Sequence, residues 1–118
     1  GRVGFPQPVV ANSTVLYVNG TVPSGEVVKG GDKDVVVFGD VSHGASIITG
    51  GSIVVTGRAE GQFTAGSEGN MNATVFAKEL NPQFIKISSV MVLGYLIDLT
   101  QSSIMFSLEY GVLKAQKL

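Results

Sequence analysis

The stretch Val35-Val36-Val37-Phe38-Gly39-Asp40-Val41-Ser42-His43-Gly44 carries the information that decides the fold. Four β-prone residues lead into a glycine, a short polar-apolar alternation follows, and a second glycine closes the unit. The same figure stands upstream as Leu16-Tyr17-Val18-Asn19-Gly20-Thr21-Val22-Pro23-Ser24-Gly25 and downstream as Ile53-Val54-Val55-Thr56-Gly57-Arg58-Ala59-Glu60-Gly61. The first glycines, Gly20, Gly39 and Gly57, are 19 and then 18 positions apart; the second, Gly25, Gly44 and Gly61, are 19 and then 17 apart. A fourth, looser copy runs through Ala65-Gly66 and Thr74–Ala77, and a fifth is expected to include Phe84–Ile87.

Side chains on a strand alternate between faces. One parity class of the copies lines up as Leu16/Val35/Ile53, Val18/Val37/Val55 and Val22/Val41/Ala59, apolar at every level, so it faces inward. The other class, Tyr17/Val36/Val54, Asn19/Phe38/Thr56 and Thr21/Asp40/Arg58, turns polar towards the glycine and faces outward. A coil of about 18 residues fits one turn of a solenoid with three short strands and three corners. Successive coils would lie about 4.8 Å apart. The pattern therefore predicts an all-β fold, a three-sided, right-handed parallel β-helix, with a Gly-rich β-sandwich as the competing architecture. Ala77-Lys78-Glu79-Leu80 is the place for a single helical turn, ended by Asn81-Pro82. Residues 1–13, with Pro6 and Pro8 and no columns, read as a linker to a domain at 14–118.

At 118 residues the chain is one domain, and with no cysteine it has no disulfide framework, thiolate metal site or cysteine nucleophile. Charged residues are 14% of the sequence against about 25% in an ordinary soluble domain, which points to an outer surface covered by another chain. A net charge of −1 gives no footprint for nucleic acid. The strongest apolar run, Val90–Leu96, is followed by Asp98 and is too short for a bilayer. The amino end has no signal-peptide pattern and no methionine, as expected of a fragment of a longer protein in the cytoplasm.

The run Val35–Ala45 (VVVFGDVSHGA) with Ile47–Gly57 (IITGGSIVVTG), Gly61–Gly66 and Thr74–Ile87 (TVFAKELNPQFIKI), closing on Leu108–Leu118, resembles the C-terminal domain of the septum-site determining protein MinC. Ser88–Ser107 diverges from it. The resemblance implies a β-helix that forms a homodimer and docks on the ATPase MinD, so that membrane contact is indirect, through the partner. It also implies that inhibition of the tubulin-like FtsZ lies in a separate N-terminal domain, absent here. The family's MinD-contact motif, Arg-Ser-Gly-Gln, falls on Pro23, Ser24, Gly25 and Glu26, so both its arginine and its glutamine are replaced. The family often carries an acidic residue at Gly50 and arginines at Glu60 and Gln62. These seven positions are the expected MinD-binding residues.

Of the residue types that could support chemistry, Asp40, Ser42 and His43 invite a hydrolase reading, but the adjacent Ser42 and His43 diverge in extended chain. Asp32-Lys33-Asp34 reads as a solvated corner without the oxygens that calcium wants. Gly30-Gly31 and Gly50-Gly51 lack the lysine and the helix of a phosphate loop. No metal, cofactor or catalytic residue is assigned. Tyr17, Val36, Phe38 and Val54 stack as an outward apolar patch, the expected dimer interface. The leading reading is a MinD-binding adaptor. The alternatives are a structural spacer or filament subunit of bactofilin type and, last, a carbohydrate-active β-helix, whose clustered acids and bases the apolar outer columns lack.

Overall fold

The computed structural model describes residues 7–11, 14–98 and 102–118. Among the described residues twelve strands form two sheets around one core. Strands β2 (Val15–Asn19), β4 (Asp34–Phe38), β6 (Ile53–Ala59) and β8 (Val75–Leu80) run parallel as the first wall of a solenoid of about four turns. Strands β3 (Val27–Lys29), β5 (Ser46–Ile48), β7 (Gln62–Ala65) and β9 (Phe84–Ile87) form a second parallel wall. The third side is a column of single bridges, Val22 to Val41 and Val41 to Ala59.

The register is the one the sequence columns predict. Leu16, Val35 and Ile53 are successive partners, as are Val18, Val37 and Val55, and the fourth coil adds Val75 and Ala77. Val35, Val37, Ile53, Val55, Val75 and Ala77 are wholly buried, and Ile47, Phe63 and Ile85 fill the core from the second wall. Hydrophobic burial stacked in four layers supplies the driving force. Parallel hydrogen bonding between coils satisfies the peptide groups this core would otherwise strand.

Three expectations are corrected. Ala77–Leu80 is the end of β8 and not a helical turn, because Ala77 pairs with Val55 and Leu80 with Ala59. Phe84–Ile87 is the second wall of the fourth coil and not a fifth copy of the first. Gly61 does not repeat the turn glycines Gly25 and Gly44, whose φ values are +87° and +86°; it is required because Ala45 and Ser42 carbonyl oxygens crowd the space a Cβ would take.

The ends of the solenoid are antiparallel. Strand β1 (Gln7–Ala11), within the stretch read as a linker, pairs with β2. At the other end β10 (Val90–Leu93) folds back on β9, and Gly94–Leu96 adds one 3-10 turn. Strand β11 (Ile104–Glu109) reverses onto β8 and turns through Tyr110-Gly111 into β12 (Val112–Lys117). Among the described residues no helix is long and apolar enough to cross a membrane.

Candidate functional site: a stacked corner and an outer apolar row

Each coil turns from the third side to the second wall at one edge of the solenoid. In the first coil this corner is Pro23–Glu26, closed by the Glu26 amide donating to the Pro23 carbonyl at 3.1 Å. Gly25 takes the third position of that turn with φ +87°, the conformation a type II turn needs there. The second coil repeats it: the Ala45 amide donates to the Ser42 carbonyl at 3.0 Å, with Gly44 at φ +86°. The Gly25 amide donates to the Gly44 carbonyl at 3.0 Å and the Ser46 amide to the Glu26 carbonyl at 3.0 Å, so the two turns are clamped together. Ser24 and Glu26 remain open to solvent or half so, on a rigid edge.

Glu60 and Gln62 occupy the same edge one coil further on. The Glu60 amide donates to the Val41 carbonyl at 2.8 Å and the Gln62 amide to the Ala45 carbonyl at 2.9 Å. The Gln62 side chain is held by the Ser46 hydroxyl, 2.8 Å from its Oε1. Six of the seven predicted partner-binding residues, Pro23, Ser24, Gly25, Glu26, Glu60 and Gln62, therefore share one edge. Gly50 does not join them. It is buried at the opposite end of β5, its amide donating to the Gly31 carbonyl at 2.7 Å, and a Cβ there would lie 3.0 Å from that oxygen. That corner is a packed core element: the Thr49 hydroxyl, buried, bonds to the Lys33 carbonyl, and Gly30 leaves the room its side chain needs.

Asp40, Ser42 and His43 do not converge on a reactive centre. The Asp40 carboxylate accepts the Arg58 amide at 2.8 Å, bracing adjacent coils, while buried Val41 separates it from Ser42 and exposed His43. Arg58 Nε lies 3.2 Å from Glu79 Oε2, and this hydrogen-bonded carboxylate raises the guanidinium above its usual value, with Glu60 and Asp40 acting in the same sense. Both partners are more than half exposed, so the pair adds little stability. Asp34 serves as Asp40 does: its Oδ1 accepts the Ser52 amide at 2.7 Å. Among the described residues no group of three or more His, Cys, Asp or Glu could hold a metal.

On the outer face of the first wall, Tyr17, Val36, Val54, Phe76 and Met105 are register partners across five strands. They are half-buried, and Phe38, 48% exposed, stands diagonally beside Tyr17. The predicted residues Tyr17, Val36, Phe38 and Val54 thus form one patch. Phe76 and Met105 extend it; Met105 could not be read from the repeat because it arrives on an antiparallel strand.

Comparison with known proteins follows the same lines. The family of the septum formation inhibitor MinC, C-terminal domain, matches residues 16–102. The probable septum site-determining protein MinC of Agrobacterium fabrum is 36% identical over 105 residues, covering 87% of this chain and 43% of that protein. Its counterpart in Prochlorococcus marinus is 36% identical over 83 residues, 70% of this chain and 37% of that protein. The chain spans less than half the length of these curated relatives. A chain of the MinC:MinD cell division protein complex of Aquifex aeolicus superposes with a TM-score of 0.81 at 22% identity, covering 90% of this chain and 87% of that one. At that identity the likeness speaks for the fold.

Proposed function

The chain belongs to the family of the septum formation inhibitor MinC, C-terminal domain, and from that premise we propose that it acts by binding, docking on a MinD-like ATPase and pairing with a second copy of itself. The observation that carries the docking reading is the edge bearing Pro23–Glu26, Glu60 and Gln62, where the turn at the family's contact motif is held by hydrogen bonds to the next coil. A rigid edge lets a partner bind without ordering a loop, which lowers the cost of association. With Pro23 and Glu26 in place of the family's arginine and glutamine, the edge offers acceptors and no cation at this turn, so docking is weaker than in arginine-bearing relatives unless the partner surface carries a basic residue opposite Glu26.

Pairing of two copies rests on the row Tyr17, Val36, Val54, Phe76 and Met105, an apolar face suited to a self-complementary two-fold contact. The membrane is reached only through the partner, and action on FtsZ belongs to other parts of the full-length relatives. The spacer or filament reading is disfavoured by the antiparallel strands at both ends of the first sheet, β1 and the β11–β12 hairpin, which interrupt coil-on-coil stacking. The test is co-sedimentation of the chain with MinD-coated lipid vesicles in ATP and in ADP. Retention in ATP alone supports docking, and no retention in either refutes it.

A further inference from the structure

The corners of the docking edge are not equally long. Between the inward residues of the third side and the second wall stand Pro23–Val27 in the first coil and Ser42–Ser46 in the second, five residues each. Only Glu60–Gln62, three residues, stand there in the third coil, and Asn81–Phe84, four, in the fourth. The third coil thus lacks the pair that forms the turn tip in the first two, Ser24-Gly25 and His43-Gly44. The consequence falls on one peptide group. The Gly25 amide points to the second coil and finds the Gly44 carbonyl at 3.0 Å. The Gly44 amide points the same way, to a third coil with no tip to receive it.

Its acceptor is instead the side chain of Gln83, whose Oε1 lies 2.7 Å away, reaching over the short corner from the fourth coil. Gln83 is itself fixed at both peptide ends, its amide donating to the Gly61 carbonyl at 2.8 Å and its carbonyl accepting the Gly94 amide at 2.9 Å. One hydrogen-bonded line therefore runs from the Gln83 side chain through Gly44, whose amide donates to Gln83 and whose carbonyl accepts, to the Gly25 amide inside the Pro23–Glu26 turn. We propose that Gln83 is a positioning residue for partner docking: it stands in for the missing rung and holds the two turn tips in line. This rests on the docking reading above. Gln83 touches the contact turn only through Gly44, so its effect is on placement and leaves the chemistry of Ser24 and Glu26 unchanged.

The test compares the 118-residue chain with Gln83→Leu, which removes the acceptor, and Gln83→Glu, which keeps an acceptor oxygen at the same reach. Amide exchange of Gly44 and Gly25 by NMR reads the bond directly, and ATP-dependent capture by MinD-coated vesicles reads docking. The expected result is exchange about tenfold faster at both glycines in Gln83→Leu, capture weakened several-fold, and recovery of both in Gln83→Glu. Unchanged exchange in Gln83→Leu overturns the proposal, and so does faster exchange with capture equal to wild type. Failure of the wild-type chain to be captured at all refutes the docking reading and removes the role given to Gln83. Wild-type capture with an indifferent Gln83→Leu refutes the role of Gln83 alone.

Discussion

Tyr17 and Phe38 stack on the outer face of the first wall, their ring centroids 5.9 Å apart and their planes 12° from parallel. The two residues sit on adjacent coils, two residues out of register, Tyr17 opposite Val36 and Phe38 opposite Asn19, so the diagonal stack ties β2 to β4 from outside while the valines tie them from inside. It also leaves a flat aromatic surface at one end of the apolar row. Such a pair contributes about 0.5–1.5 kcal/mol beyond its burial.

Phe38→Glu is therefore expected to keep the fold and lose self-association. Sedimentation equilibrium at tens of micromolar, roughly the range where weak dimers dissociate, should show a dimer for wild type and a monomer for the variant. A wild-type monomer at that concentration contradicts the interface.

Neighbouring valines on β4 should behave in opposite ways. Val37 is wholly buried between Val18 and Val55, whereas Val36 faces outward in the row. Val37→Asp puts an unpaired charge into a dry core and should abolish cooperative thermal unfolding by circular dichroism. Val36→Asp should fold and dissociate.

Two corner glycines are needed for different reasons. A Cβ on Gly57 would sit 2.7 Å from the Gly39 carbonyl oxygen, so Gly57→Ala must push two coils apart. Gly20 has open space around it but a φ of +108°. Gly20→Ala should cost about 1–2 kcal/mol in backbone strain, and Gly57→Ala more. Chemical denaturation of both variants checks the order; equal losses contradict the close-packing account.

The buried hydroxyl of Thr49 bonds to the Lys33 carbonyl and accepts the Gly51 amide at 3.3 Å. Thr49→Val keeps the shape and strands both groups, at a cost of about 1–3 kcal/mol measured by denaturation.

What the sequence made legible was whatever the repeat encodes. Val35, Val37, Ile53 and Val55 recur with period 2 along each strand and one coil apart between strands, and that double periodicity leaves one register. Elements outside the repeat were not legible from it, and the closing strand pair at Leu108–Leu118 was expected only from the resemblance. Strand β1 and the β10, β11 and β12 reversals carry no column, and the apolar run at Val90–Leu93 reads alike as edge strand or core. Gly25 and Gly61 look equivalent in a string of letters, yet one needs a positive φ and the other needs space. All seven partner-binding positions came from the resemblance; the recurring corners bring six of them to one edge, and Gly50 lies at another corner. Gln83 left one trace, the 17-residue spacing from Gly44 to Gly61, which marks the shortened corner its side chain bridges.

The claim that the Pro23–Glu26 corner is the docking edge meets its most direct test in ATP-dependent capture by MinD-coated vesicles, comparing wild type with Gly25→Val and Pro23→Arg. Gly25 has no neighbour within 4 Å of its missing Cβ, so Gly25→Val alters the φ preference of the turn and leaves the core alone. Pro23→Arg restores the cation that the family places there. The account predicts capture weakened about tenfold or more by Gly25→Val, roughly 1.4 kcal/mol per decade, and strengthened by Pro23→Arg. Wild-type capture by Gly25→Val, or weaker capture by Pro23→Arg, would contradict it.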